Sequence, residues 1–144
     1  EMCYKGPNVT MGYAVCKEDL LKGDEFNGIY HTGDLARRDE DGCYYVTGRL
    51  SRFLKLLSYR VSLDQSERLI QQEFNVECAC SGTDHQMNIY IVDGSKKTEV
   101  LKFVSEKTGL FKDLFKVFVV PKILRNESGK IRYKELDVQY AGEK

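Results

Sequence analysis

No apolar run in this 144-residue chain approaches the roughly 18 residues that a membrane-crossing helix requires. An excess of charge of one sign is also missing. The 22 lysines and arginines cancel the 22 aspartates and glutamates, so no whole-chain field favours nucleic acid or an anionic membrane. The opening EMCYKGPNVT has no apolar stretch behind its first charges, and hence no signal-peptide pattern. The cysteines Cys3, Cys16, Cys43, Cys78 and Cys80 are odd in number and lack C-x-x-C spacing, which argues against a zinc site and a disulfide framework. They read as reduced thiols in a cytoplasmic protein, with no metal site. His31 and His85 are the only histidines, and neither has an acid or nucleophile at triad-like spacing. A G-x-x-x-x-G-K-[ST] phosphate loop is absent. The basic residues Lys96, Lys97 and Lys122 have no interleaved aromatics of the kind a nucleic-acid surface needs.

What remains is globular, with 42% hydrophobic and 11% aromatic residues. Residues 1 to 14 read as strand, turn and strand, with Gly6-Pro7-Asn8 as the turn. Lys17 to Leu21 reads as a short helical piece and Gly28 to Thr32 as extended. Asp41-Gly42, between Leu35–Arg38 and Cys43–Val46, is a strong hairpin signal. Phe53 to Leu57 and Tyr59 to Val61 form a strand pair. Ser62 and Gln65 have capping-box spacing and predict a helix from Leu63 to Phe74. Strands are expected over Val76–Ser81 and Met87–Val92, joined at Gly82-Thr83-Asp84. A second helix is expected over Thr98–Lys107 with Gly109 as its stop, then a strand over Val117–Val120 and a terminal helix over Tyr133–Tyr140. The fold class is α+β: a small domain with a β-hairpin and a three-stranded sheet covered by helices. A strand-rich segment precedes it that is too short to bury a core of its own.

Several residue groups have chemical potential, each weak alone. Thr32-Gly33-Asp34 presents a carboxylate at a sharp turn, a double acceptor suited to ribose hydroxyls, although such tripeptides are common in turns. Gly48-Arg49 adds a charged fork that suits ribose or phosphate, or is simply solvated. Lys55, between Phe53-Leu54 and Leu56-Leu57, reads either as an edge-strand lysine that hinders aggregation or as an ammonium presented in one domain arrangement. Asn126-Glu127-Ser128-Gly129-Lys130-Ile131 puts Lys130 just after a turn, able to deliver one point charge to a phosphate or carboxylate.

In order and combination these segments resemble the adenylate-forming (AMP-binding) enzyme superfamily. Its members include acyl-CoA synthetases, adenylation domains of nonribosomal peptide synthetases, D-alanine-carrier-protein ligases and luciferases. Lys5 to Tyr13 is similar to its G-x-x-V-x-x-G-Y segment, and Gly28 to Leu35 to its (W/Y)-x-T-G-D-L motif. Gly42 to Arg49 is similar to the hairpin entering its domain junction. Lys55 to Glu67 and Asn126 to Ile131 are similar to K-x-x-G-x-R-(I/V)-x-x-x-x-I-E and N-x-x-G-K-(I/V). The resemblance implies an ATP-dependent carboxylate-activating ligase that forms an acyl-adenylate and then a thioester by domain alternation. ATP, Mg²⁺ and either CoA or a carrier protein's pantetheine would be its cofactors and co-substrates, with the Mg²⁺ ligands mostly outside this sequence. Residues 1–49 would be the edge of a large N-terminal core domain that the chain lacks, and 50–144 the mobile C-terminal domain. On its own the chain would be inactive. Asp34 and Arg49 would hold the nucleotide, Lys130 would serve adenylation, and Lys55 would face the site for thioester formation. Ser51 would be the hinge, where the family carries a charged residue. Ser58-Tyr59-Arg60 would border the pantetheine path, with Ser58 where a glycine is usual. The expected partners are the core domain, a carboxylic acid and an acyl or peptidyl carrier protein. The alternatives are a nonribosomal peptide synthetase adenylation domain, or an interaction module that keeps the fold without the chemistry.

Overall fold

The computed structural model describes residues 1–142 and divides the chain into two units, the first ending at Ser51 and the second starting at Arg52. In the first unit, β1 (Cys3–Lys5) pairs antiparallel with β2 (Ile29–His31), placing Cys3 opposite His31. The second strand expected before residue 14 does not form. Val9 N–H closes the turn onto Gly6 O, β1 takes the distant β2 as partner, and Met11 O accepts from Glu25 N–H at 2.7 Å. A 3₁₀ turn covers Lys17–Leu21. The expected hairpin joins β3 (Asp34–Arg38) to β4 (Tyr44–Arg49), its turn held by Asp39 Oδ1 accepting from Cys43 N–H and by Gly42 at φ +86°. No side chain of this unit is buried. Tyr13, Val15 and Leu21 are 65%, 94% and 89% exposed, so its two ribbons have no apolar core.

The second unit is built around a three-stranded sheet. It opens with a hairpin of β5 (Phe53–Leu56) and β6 (Tyr59–Ser62), with Leu56 opposite Tyr59. The two residues between them, Leu57 and Ser58, both have positive φ, +46° and +73°. A two-residue hairpin loop favours this geometry because its twist matches that of the strands. Ser58 thus occupies a backbone conformation that glycine adopts without cost. Ser58→Gly should relieve about 1–2 kcal/mol of strain, offset by about 0.5–1 kcal/mol of added chain entropy in the unfolded state. We expect a net rise in the urea midpoint; an unchanged or lower midpoint would contradict the strain argument.

Helix α1 (Leu63–Phe74) begins where Ser62 Oγ accepts from Gln65 N–H at 3.2 Å and ends at Asn75, φ +50°. The serine half of the expected capping box forms. β7 (Cys78–Thr83) and β8 (Gln86–Ile91) pair antiparallel, and after helix α2 (Lys97–Thr108) β9 (Phe115–Val119) lies parallel to β8. The turn between β7 and β8 sits at Asp84-His85, not at Gly82-Thr83-Asp84. Gly82 instead lies within β7, where a Cβ would come within 2.2 Å of Gln86 O, so close backbone approach is what requires this glycine. The expected terminal helix is α3 (Tyr133–Leu136) followed by a wider π turn, Asp137–Ala141.

Strand alternation divides the core between the two faces of the sheet. Cys78, Cys80, Met87 and Ile89 pack with Ile70 of α1 and Val100 of α2, while Ala79 and Tyr90 pack with Leu136 on the other face. On that second face Asp137 accepts hydrogen bonds from Ser81 and from Tyr90 Oη at 2.6 Å, fixing the π turn to the sheet. Burial pushes the Cys78 thiol up to about 12 and Cys80 well above the ordinary thiol range. The neutral thiols are therefore favoured by folding. That contribution is complete below the unfolded thiol pKa of about 8.5 and is lost as pH rises from there toward the folded values. The loss is about 1.4 kcal/mol per pH unit per thiol. Stability should fall more steeply between pH 9 and 11 than in a Cys78→Ala/Cys80→Ala variant; equal slopes in urea titrations would refute this.

Candidate functional site

The first unit builds one site around the Thr32-Gly33-Asp34 turn. Gly33 takes φ +73°, which lets the chain leave β2 and start β3 at Asp34. Asp34 and Arg49 stand directly opposite in the β3–β4 register, and Arg49 Nε lies 3.0 Å from Asp34 Oδ1. The turn is held from several sides. Thr32 Oγ1 donates to Met2 O at 2.7 Å and accepts from Asp34 N–H at 3.1 Å. Leu50 N–H donates to Gly33 O at 2.8 Å. Glu1 Oε1 accepts from Gly33 N–H at 2.9 Å, and its other oxygen meets His31 Nδ1 at 3.2 Å. The Gly33 N–H, then His31, hold the Glu1 carboxyl below its ordinary range. Arg49 is two-thirds exposed, so its fork is available to a ligand that takes over part of the Asp34 pairing.

The second unit holds the two lysines. Lys55 is exposed on β5 between buried Leu54 and Leu56, opposite Arg60 of β6. Its backbone N–H donates to Asp84 Oδ1 at 2.7 Å. Ser58 and Tyr59 are at the hairpin tip, and the Arg60 guanidinium lies over the Phe53 ring at 4.1 Å. A cleft of about 260 Å³ borders this segment, lined by Tyr59, Arg60, Gln65, Phe103 and Lys107. Lys130 follows a turn closed by Gly129 N–H donating to Asn126 O and by a bridge between Arg125 and Ile131. Its side chain is exposed and takes no hydrogen bond or ion pair among the described residues. Ser51 is exposed within the 3₁₀ turn Leu50–Arg52, immediately before the boundary between the units.

Sequence reasoning missed an ionic cluster at the start of the second unit. Arg52 Nε lies 2.7 Å from Asp64 Oδ1, Nη2 lies 2.5 Å from Glu67 Oε1, and Nη1 donates to Cys80 O at 2.9 Å. The guanidinium packs over the Tyr133 ring at 3.9 Å, and Cys80 N–H donates to Glu67 Oε1. Arg52 and Glu67 are both 13% exposed. Burial pushes the Glu67 carboxyl and the Tyr133 hydroxyl up. Only the spacing of Asp64 and Glu67, three apart on the α1 face that carries Leu63 and Ile70, hinted at a buried charge. Glu1 was missed too, since its grip on Gly33 spans 32 residues.

The chain aligns along most of its length with CoA ligases. It is 31% identical over 146 aligned positions to peroxisomal OPC-8:0-CoA ligase 1 of Arabidopsis thaliana, covering 94% of this chain and 27% of that protein. It is 28% identical to 4-coumarate–CoA ligase 3 of Oryza sativa subsp. japonica, covering 98% and 27%. The chain thus spans about a quarter of the length of these curated relatives. Among solved structures it superposes on o-succinylbenzoate CoA synthetase from Bacillus subtilis in complex with its acyl-adenylate intermediate, with a TM-score of 0.68 and 25% identity. That match covers 93% of this chain and 29% of the other. ATP-bound MatB from Rhodopseudomonas palustris shares the fold at a TM-score of 0.64 and 24% identity, covering 78% and 24%. No family model matches the chain. In sequence and fold the chain matches the C-terminal region of the adenylate-forming (AMP-binding) enzyme superfamily.

Proposed function

We propose that this chain is the C-terminal part of an ATP-dependent ligase that activates a carboxylic acid as its acyl-adenylate and passes the acyl group to a thiol. The observation that carries this reading is Lys130: an exposed ammonium on a glycine turn, without an ion-pair partner among the described residues, in a chain that also presents the Asp34–Arg49 pair. In this reading residues 1–49 are the rim of a larger nucleotide-binding domain, and residues 50–144 are a domain that rotates about Ser51. Asp34 accepts the two ribose hydroxyls of ATP, and Arg49 supports the ribose or phosphate. A carboxylate oxygen of the acid attacks the α-phosphorus. A new P–O bond forms, the bond from that phosphorus to the bridging oxygen breaks, and pyrophosphate leaves with the electron pair. Lys130 sits between carboxylate and α-phosphate, stabilising charge that develops during attack. Rotation then replaces Lys130 by Lys55 and the Ser58–Arg60 tip. The acceptor sulfur attacks the acyl carbon, the C–O bond to AMP breaks, and the thiol proton passes to solvent.

The acceptor is CoA or the pantetheine of a carrier protein. Arg60 and Lys107 beside the 260 Å³ cleft suit a phosphate-bearing acceptor. Mg²⁺ is a different case. Among the described residues the one grouping of three potential ligands is Glu1, Cys3 and His31. A thiol and an imidazole do not suit a hard cation, so this grouping is not a Mg²⁺ site, and in this reading the Mg²⁺ ligands lie mostly outside the sequence. Among the same residues no helix is long and apolar enough to cross a membrane, and five free thiols fit the cytoplasm.

The test is exchange of radiolabelled pyrophosphate into ATP by the complete enzyme, driven in turn by acetate, octanoate, malonate and 4-coumarate. Acid-dependent exchange supports the reading. Its absence with every acid overturns it in favour of an interaction module.

A further inference from the structure

We propose that Arg125 and Glu77 form a brace that fixes the Gly129–Lys130 peptide, making Arg125 a positioning residue for adenylate formation. This rests on the role given to Lys130 above. A peptide unit is planar, so holding its oxygen and its N–H together fixes the direction from which the following side chain departs. Both ends of this unit are held. Arg125 Nη1 donates to Gly129 O at 2.9 Å, and Lys130 N–H donates to Asn126 Oδ1 at 2.8 Å. Asn126 Oδ1 is itself fixed by Ser128 Oγ at 2.8 Å.

The asparagine contact is internal to the turn and moves with it. The arginine contact reaches outside. Arg125 Nη2 and Nε lie 2.8 and 3.2 Å from Glu77 Oε1. Glu77 directly precedes β7, and its carbonyl accepts from Val92 N–H beyond the end of β8. A rigid guanidinium fork thus spans from sheet to turn, with separate nitrogens for each partner. Without it the turn keeps its own shape but loses its reference to the sheet. Arg125 and Glu77 are 43% and 42% exposed, so an exposed pair of this kind adds little to global stability. What the pair contributes is direction for Lys130.

The experiment compares Arg125→Ala, Arg125→Lys, Glu77→Gln and Lys130→Ala in the complete enzyme. Hydrogen–deuterium exchange over residues 125–132 is read beside pyrophosphate exchange, and beside thioester formation from preformed acyl-adenylate and CoA. Arg125→Ala should speed hydrogen exchange in the turn about tenfold, as loss of a charge-assisted hydrogen bond implies. It should lower kcat for pyrophosphate exchange by about tenfold or more with KM for ATP unchanged, because a displaced charge weakens attack without weakening nucleotide binding. Thioester formation and the melting temperature should stay at wild-type values. Arg125→Lys, which reaches one partner but not both, should fall between, as should Glu77→Gln. Unchanged hydrogen exchange in Arg125→Ala overturns the brace. Faster hydrogen exchange with wild-type kcat, or equal losses in both half-reactions, overturns its positioning role. Wild-type exchange by Lys130→Ala removes the underlying reading, and the brace's catalytic meaning with it.

Discussion

Arg52→Met should destabilise the second unit by about 3 kcal/mol, the lower end of the cost of removing one partner from a buried ion pair, because this cluster is mostly rather than fully buried. The guanidinium satisfies Asp64, Glu67 and the Cys80 carbonyl at once and covers the Tyr133 ring. Methionine fills similar space but leaves Glu67, 13% exposed, without its cation. The Cys80 N–H remains to hold one carboxylate oxygen, which moderates the loss but does not remove it. Arg52→Lys should also be costly, because one ammonium cannot reproduce a fork with three separate acceptors. Removing the charges together, in Arg52→Met/Asp64→Leu/Glu67→Leu, should be far milder than Arg52→Met alone, because no buried charge is then orphaned. Urea unfolding followed by circular dichroism measures all three. A loss below about 1 kcal/mol for Arg52→Met would place this cluster with ordinary surface pairs.

The second large effect concerns the two lysines. Lys130→Ala should lower pyrophosphate exchange by about 10²–10³-fold, the usual cost of losing one preorganised charge at a transition state. The side chain is exposed and takes no hydrogen bond or ion pair among the described residues, so the substitution should leave folding unaffected. Lys55→Ala should spare pyrophosphate exchange and slow thioester formation. Its side chain is likewise exposed, and the bond from its backbone N–H to Asp84 survives the change. Measured separately, the two half-reactions give opposite patterns for the two variants. Equal loss in both half-reactions for Lys55→Ala would contradict rotation, and wild-type exchange by Lys130→Ala would remove its assigned role.

Much of the second unit was legible because its signals are local. Ser62 marks the start of α1, Gly109 the end of α2, and alternation along Cys78–Cys80 assigns the two faces of the sheet. Errors arose where a residue type has two uses. Gly82 reads as a turn but serves close packing within a strand. The Leu57-Ser58 turn hides because neither residue is the Asn or Gly that this backbone favours. Strand β1 pairs with residues more than twenty positions away, so no local pattern could choose β2 over the segment beside it. The side-chain braces were the least legible of all. Glu1 to Gly33, Arg52 to Tyr133 and Glu77 to Arg125 join distant residues whose types are common at any surface.

Arg52 has one further consequence. Its side chain is locked into the second unit, while Leu50 N–H is bonded back to Gly33 in the first. Within the second unit Arg52 therefore acts as a clasp, one side chain tying the first residue of that unit to α1, to β7 and to the ring of Tyr133 in α3.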